Sequence, residues 1–172
     1  MTLAVIRRIR QGIVSLRPAR ESGDDKLLAA WLTPIQHSAF RELPLHDRAH
    51  LVRVGRSMIR QAPDNQELII AAFLHDLGKA YQGFHVRLID RVTKVLLQAI
   101  SHRLLQMLAT MPPARFRGGL ALAVHHPEIG ARLARELGCT DRTCWLIAHH
   151  EEASAFNDPE LALLAAIDDA TP

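Results

Sequence analysis

Aromatic side chains are scarce in this 172-residue chain: Phe, Trp and Tyr together make up 5% of it, and there are only two cysteines, Cys139 and Cys144. The cysteine pair forms neither a disulfide framework nor a CxxC zinc pair, so the sequence predicts core thiols in a reducing cytosol. No stretch alternates apolar and polar residues over a strand's length, while Ala and Leu are abundant, and together these predict an all-α fold. No apolar run approaches the ~18 residues that a membrane span needs. Also missing are an internal repeat, a phosphate-binding glycine loop and a Ser, His and Asp arrangement suited to acyl transfer. The length and the 48% hydrophobic content suffice for one good core, hence a single main domain.

Charge of one sign is missing from the N-terminus. Residues 1–20 carry Arg7, Arg8, Arg10, Arg17 and Arg20 and no acid, which leaves 16 basic against 18 acidic residues in the rest of the chain. Leu3, Ile6, Ile9 and Ile13 recur at helical spacing opposite the arginines, predicting a short basic amphipathic helix. The arginines interrupt the apolar runs too often for a signal peptide or a span. Packing on its own domain or in a homodimer is one use for such a helix; contact with a membrane surface or nucleic acid is the other, and the sequence leaves both open. RPARESGDD, residues 17–25, has the composition of a linker, giving an N-terminal segment 1–25 and a domain 26–172.

What the chain has in excess is histidine, ten residues of it. The run Leu68 to Leu74 is apolar on every side and predicts a buried central helix, at whose end stand His75 and Asp76, followed by Gly78 as helix stop and Lys79. An imidazole and a carboxylate at the tip of a rigid buried element suit a divalent metal ion. In the segment 43–59, Leu51, Val54 and Met58 mark a buried helix face, and His50 lies on the same side, as a bonded core residue or a ligand; His46 is one turn earlier.

A long amphipathic segment, from about Arg87 to Ala109, reads as a structural brace. In VHHPEIGARL, Pro127 suits a first helical turn, which places His126 at a helix entrance. Asp141 is a candidate cap for the helix leading to His149 and His150. Those two diverge by about 100° on a helix, so both reach one centre only if it is large or holds two ions. Asp168 shares the inward stripe of Leu161 and Leu164, an expensive position for a carboxylate without a cation or donors. A shared metal site explains all five places at once.

The order His50, His75-Asp76, His126, His149-His150, Asp168 resembles the HD superfamily of metal-dependent phosphohydrolases, and especially its two-metal branch with the HD-GYP and HDIG cyclic-dinucleotide phosphodiesterases. HDLGK at 75–79, HPEIGA at 126–131, HHE at 149–151 and the aspartate before DA at 168 carry the likeness, over roughly residues 43–170. The resemblance implies an all-helical bundle around the metals, with His50, His75, Asp76 and Asp168 holding one ion and Asp76 bridging to a second held by His126, His149 and His150. Manganese or iron is the first expectation, with magnesium, cobalt, nickel or zinc as further ones. Asp76 and Lys79 would serve catalysis, Lys79 by meeting a non-bridging phosphoryl oxygen, and His125 would support the ligands. A metal-bridging hydroxide would then attack phosphorus in a nucleotide or other small phosphate ester.

The chain also departs from that pattern. EEASAFNDPE at 151–160 stands where DGxGYP would be, so the HD-GYP subfamily is excluded on pattern, and His46 stands where an acid is expected, which makes cyclic di-GMP a less natural substrate. A short acidic rim of Glu151, Glu152, Asp158 and Glu160 points the same way. The remaining expectations are a cytoplasmic protein, peripheral to a membrane if the N-terminal helix binds one, and, from another functional class, a non-catalytic nucleotide-binding regulatory module.

Overall fold

The computed structural model describes residues 24–109 and 118–171. The basic helix expected in residues 1–20 lies outside the described residues. Helices α1 (Asp24–Trp31), α2 (Pro34–Arg41) and α3 (Leu45–Gln61) lead to α4 (Gln66–Leu74) and a 3-10 turn (Leu77–Lys79). A small hairpin of β1 (Ala80–Tyr81) and β2 (Phe84–His85) precedes α5 (Leu88–Ile100), α6 (His102–Leu108), α7 (Gly118–Glu136) and α8 (Asp141–His149). A second 3-10 segment (His150–Ala155) and α9 (Pro159–Ala170) follow. The fold is all-α, and no helix among the described residues is long and apolar enough to cross a membrane.

Helix α4 is the centre. Leu68, Ile69 and Ala71 to Leu74 are all buried, as a helix apolar on every face must be, and α1, α3, α8 and α9 pack around it. Leu51, Val54 and Met58 of α3 and Leu161 and Leu164 of α9 complete this core, none of them exposed to solvent. Thr33, just before Pro34, caps α2 in a reciprocal box with Gln36.

Four local expectations need correction. Gln82 and Gly83 both have positive φ, 50° and 78°, and close a two-residue hairpin that pairs Tyr81 with Phe84; a Gln-Gly turn is a weaker cue than Asn-Gly. The brace from Arg87 to Ala109 breaks at Ser101, whose extended backbone ends α5 and whose Oγ accepts from Leu104 N to start α6. Thr140, not Asp141, caps α8. Helix α7 does not begin at Pro127 but runs straight through it.

Candidate metal centre

Three histidines are held in the same way. The last carbonyls of a helix have no partner within it, and His75 Nδ1 donates to one of these, Ala72 O, at 3.1 Å, as His150 Nδ1 does to Ile147 O at 2.8 Å. His126 has no helix end to use. Pro127 supplies the equivalent: α7 puts it four residues after Ala123, and its missing N–H leaves Ala123 O open, which His126 Nδ1 takes at 3.2 Å. A carbonyl can only accept, so each Nδ1 carries the proton and each Nε2 presents a lone pair.

Those three Nε2 atoms converge on Asp76, whose side chain is 2% exposed. Oδ1 of Asp76 lies 3.4 Å from His126 Nε2 and 3.9 Å from His150 Nε2, while Oδ2 lies 3.7 Å from His75 Nε2. On the far side, Asp168 Oδ1 is 2.8 Å from His50 Nε2 and 3.3 Å from His75 Nε2. Two ligand-competent groups result, His50 with His75 and Asp76, and Asp76 with His126 and His150. The fit to a metal has a direct test in the buried nitrogens. Neither His75 Nε2 nor His126 Nε2 has a hydrogen-bond partner, a costly state for buried polar atoms that a cation relieves.

The charge balance asks for the same thing. Burial opposes ionisation of Asp76, yet Lys79, His75 and His126 together hold its carboxyl well below the ordinary carboxylate range. Burial likewise opposes the charge on Asp168, but His75 and the hydrogen bond to His50 keep it well below that range too. Burial would lower His75, but Asp76 and Asp168 raise it, so these carboxylates favour positive charge at its Nε2. Burial and the neighbouring His75 and His126 depress His150 to about 4, leaving a neutral ring free to coordinate.

Two expected site residues are not brought in. Adjacent side chains diverge by about 100°, so with His150 turned inward the His149 ring packs instead between Trp145 and Phe156, at 4.9 and 4.5 Å between centroids. His125 points away from the centre and its Nε2 donates to Ala109 O at 2.9 Å, tying α7 to the end of α6. Lys79 does reach the site, as an ion pair with Asp76 Oδ2.

Other residues enter that the sequence reading did not assign there. The centre opens into a cavity of about 470 Å³ whose wall includes Arg91, Lys94 and Gln98 of α5. Arg91 pairs with buried Asp47 at 2.5 Å, and Lys94 holds Glu151 at 2.6 and 2.8 Å, with Glu151 also 3.9 Å from His126. Helix α5 is therefore a wall of the site rather than a remote brace. Three of the four expected rim acids are matched, Glu151 by Lys94 and Asp158 and Glu160 by Arg142, while Glu152 stands exposed. These pairings span 44 and 57 residues of sequence, beyond the reach of any local motif.

Pro127→Ala separates positioning from folding. Alanine is roughly 3 kcal/mol better than proline inside a helix, and its N–H would compete with His126 for Ala123 O. The expected result is a higher melting temperature together with metal binding weakened about tenfold, in the range found on losing a ligand's supporting bond. Chelator competition and thermal melts on one preparation check it; tighter or unchanged metal binding would rule out the role given to the Ala123 carbonyl.

A family model described as the HD domain matches residues 48–171, a span that contains each of the converging ligands. No curated protein and no solved structure matches the chain.

Proposed function

The chain belongs to the HD-domain family, and on that premise we propose that it is a metal-dependent phosphohydrolase acting on a nucleotide or another small phosphate ester. The observation that carries this reading is the position of Asp76 between two sets of inward Nε2 lone pairs, two of those nitrogens being buried without a partner. His50, His75, Asp76 and Asp168 would hold one cation and Asp76, His126 and His150 a second. Divalent ions bound there would supply Lewis acidity for activating water and neutralising phosphoryl oxygens.

The chain's own groups do the rest. Lys79, on Asp76 Oδ2, is the cation nearest the centre and is placed to take a phosphoryl oxygen as charge develops. Arg91 and Lys94 line the cavity as further hydrogen-bond donors, each held in direction by a carboxylate that also balances its charge. Val92 and Val95 of α5, beside them, offer an apolar surface to the alcohol or base portion of an ester. A cavity of about 470 Å³ suits small mono- and diesters, and their preference over cyclic di-GMP rests on the missing DGxGYP run and on His46 standing where an acid is expected.

The test is phosphate release from a mixed ester panel by manganese- or iron-loaded protein, with Lys79→Ala alongside. Expected are faster turnover of small esters than of cyclic di-GMP, and a loss of about 10²-fold in kcat in the variant with metal content unchanged. Equal rates on cyclic di-GMP would reverse the ranking. No hydrolysis of any ester by fully loaded protein would give the chain to a non-catalytic nucleotide-binding module.

A further inference from the structure

The two halves of the centre are unequal. His50 and His75 have a carboxylate of their own besides the shared Asp76, since Asp168 Oδ1 stands 2.8 Å from His50 Nε2 and 3.3 Å from His75 Nε2. In the group of His126 and His150, Asp76 is the carboxylate and it is borrowed. The ring expected to complete that set, His149, is turned away between Trp145 and Phe156. Another side chain reaches this half instead. Glu151, the residue after His150, places Oε1 3.9 Å from His126 Nε2.

That approach is unfavourable without a cation. The ring proton of His126 is on Nδ1, given to Ala123 O, so Nε2 shows a lone pair. Carboxylate oxygens from two different elements flank this lone pair, Asp76 Oδ1 at 3.4 Å and Glu151 Oε1 at 3.9 Å, and the buried nitrogen has no hydrogen-bond partner. A lone pair and two anionic oxygens repel one another unless positive charge lies among them. Ligand atoms about 2.1 Å from one ion stand about 3.0 to 4.2 Å apart, and both separations fall in that range. Lys94 keeps Glu151 beside the centre, its Nζ donating to Oε2 at 2.6 Å and to Oε1 at 2.8 Å. A carboxylate has two oxygens, so Oε1 can meet an ion while Oε2 keeps the lysine, and ligating carboxylates are commonly bonded in this way. We propose that Glu151 is a ligand of the second cation, in the position that the sequence pattern gives to His149. The proposal rests on the metal centre described above and adds one ligand to it. Each ion then has two imidazoles and two carboxylates, with Asp76 common to both, a mixed nitrogen and oxygen set of the kind manganese and iron accept.

Chelator-stripped full-length protein is to be titrated with manganese(II) by calorimetry, beside Glu151→Gln, Glu151→Asp and His149→Phe. The wild type should take two ions. Glu151→Gln should weaken one of them at least about tenfold and leave the other, while the metal-free protein melts close to the wild type, since a partly exposed ion pair adds little to stability. Glu151→Asp keeps the charge and shortens the reach by one methylene, so it should weaken the same ion. Wild-type affinity in that variant would mean that the carboxylate acts only through its field, and the proposal would fall. His149→Phe keeps a ring between Trp145 and Phe156 and should hold both ions as the wild type does. Loss of an ion there would return the position to His149 and overturn the proposal. Two ions held at wild-type affinity by Glu151→Gln would overturn it as well, with the centre around Asp76 left standing. A wild type that binds no manganese would remove the centre itself, and the proposal with it.

Discussion

Asp76→Ala should release metal from both halves of the centre at once and cut phosphate release by about 10³-fold or more, because the two ligand groups have this one carboxylate in common. Loss of His50 or His150 strips a single group, so their variants should each keep one ion more tightly than the other. Replacing Asp76 also leaves Lys79 without its partner and three buried imidazoles without their shared anion, a change worth on the order of 3 kcal/mol. The pH dependence follows from the sign of the shift. A carboxylate held below its unfolded value contributes stability above that value, and the contribution fades as pH falls towards the folded pKa. Metal-free wild type should therefore exceed the variant most at neutral pH, with the gap closing below about pH 4. Elemental analysis for bound metal and melts in chelator over pH decide the matter; full metal occupancy in Asp76→Ala would remove the bridging role.

The ligands were legible because helical phase reports direction. His50 shares a face with Val54, Asp168 shares one with Leu164, and the unbroken apolar run of α4 could end only inside the protein, so His75 and Asp76 had to be there. Phase misled where one residue type has two uses. Proline starts helices more often than it sits within them, so the sequence at Pro127 predicts an entrance; in the fold it frees the carbonyl that orients His126. His149 and His150 are indistinguishable by type, and which one turns inward depends on where α8 gives way to the 3-10 segment. On α5 periodicity defines two faces without saying which meets the core: Val92 and Val95 line the cavity beside Arg91 and Lys94, while Ile100 faces solvent. Arg91 with Asp47 and Lys94 with Glu151 are tertiary choices among many similar charges, which local sequence does not encode.

Gly78→Ala should be as damaging to the centre as losing a ligand, although glycine here touches no metal-binding atom. The sequence suggests a helix stop, but α4 has already ended at Leu74, and Gly78 is not among the residues with positive φ. Its role is close approach. A Cβ at this position would lie 2.2 Å from His126 O and 2.7 Å from Gly130 N, the backbone of α7 rather than a side chain able to swing aside. The 3-10 turn that carries Lys79 thus crosses α7 directly against the residue whose Nε2 stands 3.4 Å from Asp76. Relief of the clash must push the two segments apart, moving His126 away from the shared carboxylate. A cost of about 3 kcal/mol or more is expected, since overpacking against backbone has little room to relax. The group of Asp76, His126 and His150 should lose its ion before the group with His50 and His75. Gly130→Ala calibrates the effect: its Cβ would come no nearer than 3.2 Å to a neighbour, so its melting temperature should fall less. If Gly78→Ala melts and binds metal like the wild type, the crossing does not hold the two halves of the centre together.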